Sequence, residues 1–211
     1  MASSHHYDAL VIGGGHNGLV AAAYLARAGK RVAVLEKRHL VGGAAVTEEV
    51  FPGFRFTVFS YAVSLLRPEI IADLDLRRHG LDVTPLSTTF CPLPGNGYLL
   101  RGPTDADSVR EISRFSRRDA EAYIPFNERM SQVAQAVQPI LTMVPPDLST
   151  LAPQDMLGVM KLAGLLRGMS RPVLETFIKL MTMSAADFLD EWFETDVLKA
   201  ALAPSGIIGT M

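Results

Sequence analysis

A glycine-rich loop near the N-terminus has the spacing that holds the phosphates of a dinucleotide; its sequence is Gly13-Gly14-Gly15-His16-Asn17-Gly18. In such a loop the first glycine permits a tight turn, the third brings backbone N–H groups against a pyrophosphate, and the last allows a helix to pack closely on a strand. His16 and Asn17 occupy the variable positions, and we expect their side chains to cap the helix or to neighbour a ribose. The loop predicts a dinucleotide-binding site.

An acidic residue and a second glycine pair follow at spacings that fit the same ligand. Glu36 lies 23 residues after Gly13, close to the roughly 20 residues expected for the acid that accepts hydrogen bonds from a ribose diol. A carboxylate at this position repels a 2′-phosphate, which disfavours NADP. Gly42 and Gly43 come six residues later and are followed by Ala44. This pair indicates a second backbone segment against the ligand, which an NAD dehydrogenase does not need and which favours a flavin dinucleotide.

The loop joins segments that predict a strand–helix–strand unit. Residues 7–12 are apolar and partly β-branched, residues 19–28 favour a helix that Gly29 would end, and residues 31–35 form a second apolar run. The unit from 7 to 36 has about the 30 residues of a βαβ crossover, so we expect its strands to be parallel. The expected fold class is α/β, with an N-terminal Rossmann-type βαβ unit followed by a mainly helical segment.

The middle of the chain predicts loops, one helix and a hairpin. Residues 41–45 and 51–54 are expected to be loop, and a helix is expected over 68–79, ended by Gly80. Residues 92–98 contain consecutive turn-forming residues and predict the turn of a β-hairpin.

From residue 104 the apolar residues recur at helical spacing. A long helix is expected to continue to residue 144, with Pro125 and Pro139 as kinks or caps. Another is expected to begin at Ser184, whose hydroxyl would cap the backbone ahead of Asp187. The methionines of this half are expected to pack in a core rather than to line a channel for an apolar ligand: Met143, Met156, Met160, Met169, Met181 and Met183.

Composition excludes several functional classes. The 211 residues carry 20 Lys and Arg against 22 Asp and Glu, and this net charge of −2 gives no attraction to nucleic acid. Cys91 is the only cysteine, which excludes an intrachain disulfide, a two-cysteine redox pair and a structural zinc site. The histidines have no ligand spacing, so no metal is predicted. No targeting or transmembrane segment is predicted, and the expected location is cytoplasmic, or the mitochondrial matrix in an animal source.

Residues 7–56 resemble the N-terminal FAD-binding region of the phytoene-desaturase-like flavoproteins, within the amine-oxidase and glutathione-reductase-type superfamily; their sequence is YDALVIGGGHNGLVAAAYLARAGKRVAVLEKRHLVGGAAVTEEVFPGFRF. The resemblance implies FAD as the cofactor. Carried over by position, it assigns the pyrophosphate to the glycine loop, the adenosine ribose to Glu36, and the flavin-side phosphate or ribityl chain to the second glycine pair. Lys37 or Arg38 would flank the adenine. Many relatives have Arg where this chain has Ala44, so one charged contact is absent.

The resemblance further implies an FAD-dependent oxidoreductase that removes hydride from, or transfers it to, an apolar organic substrate. Residues 1–103 would be the N-terminal part of the FAD-binding domain and residues 104–211 an incomplete helical substrate or cap region, because such flavoproteins are about twice this length. No residue is assigned a catalytic role. Two alternatives stay open: an NAD-binding dehydrogenase that uses the same loop, and a catalytically idle flavin-binding protein with a regulatory or interaction role.

Overall fold

The computed structural model describes residues 6–60, 62–63, 65–149 and 152–204. The chain divides into two compact units, Met1–Pro85 and Leu86–Met211. This division precedes a β-hairpin that packs on a helix of the second unit. The functional boundary expected after residue 103 stays a prediction.

The first unit begins with the strand–helix–strand unit that carries the glycine loop. Strand β1 (Ala9–Ile12) pairs in parallel with β2 (Val32–Leu35), and helix α1 (His16–Arg27) connects them. Ala22 is the buried residue of α1, and Gly29, with φ +79°, follows the helix end. The predicted α/β class and Rossmann-type unit are confirmed. Helix α1 begins three residues earlier than predicted, because its first turn lies inside the glycine motif.

Residues 47–57 form a hairpin, although the sequence predicts loop over part of this range. Strands β3 (Thr47–Phe51) and β4 (Phe54–Thr57) are antiparallel. Gly53 has φ +81° in the turn, and its N–H donates to the Glu49 carboxylate at 2.8 Å. The expectation of loop over 51–54 is therefore wrong at Phe51 and Phe54, which belong to β3 and β4. The hydrogen-bonded turn between them lets the two short strands pair.

Helix α2 (Pro68–Asp73) is shorter than the helix expected over 68–79. Asp75 has φ +49°, a left-handed conformation that a helix does not continue through, and the following residues form turns. The hydroxyl of Tyr24 on α1 donates to the Asp73 carboxylate at 2.7 Å, which joins the two helices.

The second unit begins with the predicted hairpin. Strands β5 (Thr89–Leu93) and β6 (Gly97–Arg101) are antiparallel, and the prediction is confirmed. The turn contains two left-handed residues, Gly95 with φ +71° and Asn96 with φ +63°. Cys91 is partly buried on β5.

The described residues after the hairpin form six α-helices and one short 3₁₀ helix, Ile140–Thr142. The α-helices are α3 (Asp105–Ile112), α4 (Arg117–Val137), α5 (Pro153–Gly168), α6 (Arg171–Thr182), α7 (Ala185–Asp190) and α8 (Asp196–Leu202). Helix α4 continues through Pro125, beside which the buried Phe126 anchors it in the core. It ends two residues before Pro139, whose ring removes an N–H donor, so the expectation of a helix to residue 144 is wrong. The Ser184 hydroxyl accepts the Asp187 N–H at 3.1 Å, as predicted.

Aromatic and branched side chains fill the core of the second unit. Its buried cluster is Leu99, Ile112, Ala120, Tyr123, Phe126, Phe188, Leu189, Phe193 and Leu198. The Phe126 ring lies at its centre, 5.0 Å from the Phe193 ring and 5.5 Å from the Trp192 ring, both in edge-on geometry. The hairpin, α3, α4, α7 and α8 thus share one core.

Helix α5 contains no buried residue. Met156 and Met160 on this helix are 47% and 68% exposed, and Met181 on α6 is 70% exposed. The expectation that the methionines pack in the core is wrong for these three, whereas Met183 is partly buried and packs against the core cluster as expected. Of the helices in the described ranges, none combines the length and apolar character needed to cross a bilayer.

A buried carboxylate joins the start of α4 to the segment before α8. Asp119 is fully buried; its Oδ1 accepts the Glu194 N–H at 2.8 Å, and its Oδ2 accepts the Thr195 N–H at 3.0 Å and the Thr195 hydroxyl. The Ser116 hydroxyl accepts the Asp119 N–H at 3.1 Å and donates to the Glu194 carboxylate at 2.6 Å. One side chain therefore binds three donors that lie about 75 positions further along the chain.

Candidate dinucleotide-binding site

The turn from β1 into α1 requires glycine at two positions for the geometry of the chain itself. Gly13 has φ +98°, which other residues rarely adopt, and its N–H donates to the Leu35 carbonyl at 2.8 Å. Gly18 has no room for a side chain, because a Cβ there would collide with the Gly13 carbonyl and lie 3.2 Å from Val11 Cγ1. These two glycines fix the turn and the approach of the helix to the strand.

Gly15, in contrast, is not required by its own backbone or by packing. It has φ −72°, and a Cβ would meet only Gly43 Cα, at 3.9 Å. Gly15 precedes α1, whose N-terminus has neither a side-chain cap nor an acidic residue in its first turn. The first N–H groups of a helix lack partners within it and attract anions. The space in front of Gly15 therefore fits a phosphate group that approaches the backbone closely.

The second glycine pair lies directly against this loop. The Gly42 N–H donates to the Gly14 carbonyl at 2.7 Å, and Gly15 and Gly42 form an isolated parallel bridge. Gly43 has φ +59°, and a Cβ on it would lie 2.9 Å from Gly15 Cα, so both its conformation and its contact require glycine. Ala44 is exposed, and its carbonyl accepts the Ser60 N–H at 3.2 Å. The structure thus brings the two predicted glycine segments together.

Glu36 follows β2, and its carboxylate is held by two backbone groups. Its Oε2 accepts the Gly14 N–H at 2.7 Å and its Oε1 accepts the Arg38 N–H at 2.9 Å. These bonds, first that of Arg38 and then that of Gly14, lower the pKa of Glu36 below its ordinary value and keep it ionised. Each carboxylate oxygen has two acceptor positions, so the partly exposed group retains capacity for ribose hydroxyls.

The cationic residues after Glu36 differ in their contacts. The Arg38 guanidinium pairs with Glu48 on β3 at 2.6 Å, and this partner raises the pKa of Arg38. Lys37 is exposed. His16 and Asn17 lie on the first turn of α1, and both are exposed beside the glycine loop.

Glu48 is a site residue that the sequence does not indicate, because it lies on a hairpin that the sequence does not predict. Only its contact with Arg38 connects it to the glycine loop. Within the part of the chain that the structure describes, no group of three or more His, Cys, Asp or Glu side chains has a metal-binding arrangement.

The fold and the glycine loop define a Rossmann-type dinucleotide-binding unit. Residues 11–73 match the family described as an NAD(P)-binding Rossmann-like domain. This match supports a flavin or NAD(P) dinucleotide as the cofactor. It covers the two glycine segments and Glu36, which are the residues of the candidate site.

Several relatives of the chain are oxidoreductases by name. Over 97% of its length the chain is 42% identical to pyridine nucleotide-disulfide oxidoreductase domain-containing protein 2 of Rattus norvegicus, and it spans 38% of that protein. It is 42% identical over 58% of its length to a limonene dehydrogenase polypeptide of Castellaniella defragrans, spanning 23% of it, and 55% identical over 23% to carotenoid 3,4-desaturase of Haloarcula japonica, spanning 10%. These matches confirm the predicted resemblance, and together with the Rossmann-type match they support a flavin- and dinucleotide-binding oxidoreductase superfamily.

Proposed function

We propose that the first unit binds FAD and that the protein is an FAD-dependent oxidoreductase of the phytoene-desaturase-like class. The contact between the two glycine segments carries the proposal. Because the Gly42 N–H is bonded to the Gly14 carbonyl, a second stretch of backbone borders the phosphate site, as a ligand longer than a single nucleotide would use. A flavin dinucleotide uses such a second stretch beyond its adenosine half.

The residues have separate roles in this proposal. The glycine loop and the N-terminus of α1 hold the pyrophosphate, Glu36 binds the adenosine ribose, and Gly42 and Gly43 border the flavin-side phosphate or ribityl chain. Lys37 or Arg38 borders the adenine. Bound FAD would supply the hydride acceptor, while the chain binds and orients it.

An apolar organic substrate follows from the relatives, since limonene dehydrogenase and carotenoid desaturase carry apolar compounds in their names. The NAD(P) description of the matched family keeps an NAD-binding dehydrogenase as the second candidate. A catalytically idle flavin-binding protein is the third, because no acid, base or nucleophile of this chain is assigned to a reaction.

The test is a fluorescence titration of the purified, ligand-free protein with FAD and, separately, with NAD. We expect FAD to bind much more tightly than NAD. Glu36→Ala should weaken FAD binding roughly tenfold or more, because two ribose hydroxyls lose a charged acceptor. Gly15→Val should abolish it, because the side chain fills the phosphate space. Wild type, Glu36→Ala and Gly15→Val should therefore rank in that order.

Gly164→Val is the matched control, because Gly164 lies in α5 and a Cβ there meets no atom within 4 Å. It should bind FAD like wild type. A folded Gly15→Val protein that retains wild-type affinity would place the pyrophosphate elsewhere, and tighter binding of NAD would favour the dehydrogenase. Anaerobic photoreduction followed by a screen of electron acceptors separates an enzyme from an idle flavoprotein, since turnover with any acceptor excludes the latter.

A further inference from the structure

The second unit contains a polar cavity of about 220 Å³ that the proposed function does not use. It lies where β5 begins, β6 ends and α3 starts. Its lining includes the side chains of Ser87, Thr88, Thr89, Arg101, Ser108 and Tyr123. None of these residues belongs to the glycine loop or to its neighbours.

Arg101 is the cation of this cavity. Its Nε is buried and has no hydrogen-bond acceptor. Two arginines just after it pair with acids of their own helix, Arg110 with Asp107 at 2.8 Å and Arg114 with Glu111 at 2.5 Å. Among the ion pairs of the described residues, none includes Arg101. A buried guanidinium N–H without an acceptor indicates a missing acceptor such as an anion or water.

Residues with hydroxyl groups line the same cavity as this N–H donor. Ser108 is 3% exposed, and its hydroxyl has only a long contact of 3.5 Å to the Gly102 carbonyl. Tyr123 is 5% exposed, and Thr88 and Thr89 also contribute to the lining. Hydroxyls and a guanidinium together donate hydrogen bonds to an oxyanion, and the planar guanidinium matches the two oxygens of a carboxylate or phosphate.

Asp105 is an opposing charge at the same cavity. Its carboxylate is exposed and accepts a hydrogen bond from the Asn127 amide at 3.3 Å. A carboxylate beside the cavity repels an anion, so Asp105 should limit the affinity rather than create it. Removing the charge of Arg101 and removing the charge of Asp105 should therefore change the affinity for an anion in opposite directions.

The second cavity of this unit, about 300 Å³, does not favour the same ligand. Arg129 there also has a buried Nε without an acceptor, but its Nη1 donates to the Pro172 carbonyl at 2.9 Å. Glu175 and Glu191 line the same space, and Glu191 already pairs with Lys179 at 2.5 Å, so carboxylates of the chain compete there with any added anion.

We propose that the Arg101 cavity binds a small oxyanion, a carboxylate or phosphate group, through the Arg101 guanidinium and the surrounding hydroxyls. The site is independent of the glycine loop, so it stands whether or not the first unit binds FAD. Carboxylate and phosphate share this chemistry, and the titration below separates them.

The experiment is an NMR titration of the ¹⁵N-labelled 211-residue chain with inorganic phosphate, acetate and chloride at constant ionic strength. We expect phosphate or acetate to shift the Arg101 Nε–H resonance and the Ser108 amide saturably, with Kd on the order of 1 mM or below. Arg101→Gln should weaken binding at least about tenfold. Asp105→Asn should tighten it severalfold, because the repelling charge is removed. Preference for phosphate or for acetate identifies the group that the site accepts.

Arg129→Gln is the matched control, because it removes the other arginine with an unpartnered buried Nε and should leave the titration unchanged. Equal shifts with chloride, or no saturable shift with any anion, would overturn the proposal, since water then occupies the cavity. If Arg101→Gln fails to fold, the test rests on Asp105→Asn, which alters an exposed side chain. Anion binding that is unchanged or weaker in this variant contradicts an anion site.

Discussion

Glu36 and Asp119 each bind a backbone N–H group from a distant segment, and they differ in what surrounds them. Glu36 accepts one N–H on each oxygen at the edge of the glycine loop and remains partly exposed. Asp119 accepts three donors and is fully buried between α4 and the segment before α8. The same type of hydrogen bond serves an open site in one unit and a closed core in the other.

The difference shows which carboxylate is available to a ligand. Glu36 is oriented by its backbone donors and retains acceptor positions that a ligand can reach. Asp119 has no exposed surface, and its contacts all belong to the packing of the second unit. A hydrogen-bonded acid is therefore a candidate for binding only where part of its acceptor capacity remains open, which separates Glu36 from Asp119 without reference to any relative.

The largest effect should come from Asp119→Ala. The substitution leaves the N–H groups of Glu194 and Thr195 and the Thr195 hydroxyl without an acceptor in a place that water does not reach. We expect the free energy of unfolding of the second unit to fall by about 3 kcal/mol or more. Denaturant unfolding followed by the fluorescence of Trp192 measures this loss.

Asp119→Asn is the control for the charge, since its amide oxygen keeps one acceptor and its loss should be smaller. Dinucleotide affinity of the first unit should be unchanged in both variants. An Asp119→Ala protein as stable as wild type would mean that the buried carboxylate contributes nothing net, and the comparison with Glu36 would fail.

The next effect should come from Gly18→Ala. The new methyl group meets the Gly13 carbonyl, which is backbone and cannot rotate away, so α1 must shift from β1. We expect a cost of about 1–3 kcal/mol, measured by faster hydrogen exchange of the β1 amides. Gly164→Ala is the opposite control: its Cβ meets nothing, and it should slightly stabilise α5. Equal exchange in both variants would contradict the close approach of Gly18.

A smaller effect is expected from Glu48→Gln. Glu48 holds the Arg38 side chain, while the Arg38 N–H orients Glu36, so the substitution indirectly loosens the carboxylate that we propose to bind the ribose. We expect dinucleotide affinity to fall about two- to fivefold, and more at low ionic strength than at high. Glu49→Gln alters the neighbouring acid, which bonds the Gly53 N–H instead, and should leave the affinity unchanged. Identical losses for both variants would assign the effect to the hairpin rather than to Arg38.

The smallest expected effect is the pH dependence of dinucleotide affinity that comes from the ionisation of Glu36. Its backbone hydrogen bonds place the pKa below the ordinary value in the folded protein. The contribution of the carboxylate is therefore complete above the ordinary glutamate pKa of about 4.3 and is lost only as the pH falls through the lowered value. The ratio of wild-type to Glu36→Gln affinity should stay constant from about pH 7 to about pH 5. A ratio that declines near pH 6 would mean a raised pKa.

The glycine site is predictable from the sequence because its chemistry depends on local spacing. Gly13, Gly18 and the strand–helix–strand unit follow from residues close together in sequence. The sequence predicts that the segment with Gly42 lies against the same ligand as the glycine loop. The hydrogen bond from Gly42 to Gly14 is visible only in the folded structure.

Contacts between distant residues are not predictable from one sequence. Asp119 is ordinary in type and spacing, and its role depends on donors that lie about 75 positions later. The β3–β4 hairpin escapes prediction because each strand is short and the turn residues dominate the pattern. Glu48 is missed for that reason, and the predicted end of α4 is misplaced because apolar residues keep helical spacing beyond Pro139.

Trp192, the only tryptophan of the chain, packs edge-on against Phe126 in the second unit. Indole emission overlaps the absorption of an oxidised flavin, and excitation energy passes between such a pair with an efficiency that falls steeply with distance. A flavin held by the glycine loop would therefore quench Trp192 to a degree set by the separation of the two units. If the glycine loop holds FAD as proposed, the fluorescence of Trp192 measures the distance between the two units in solution without an added label.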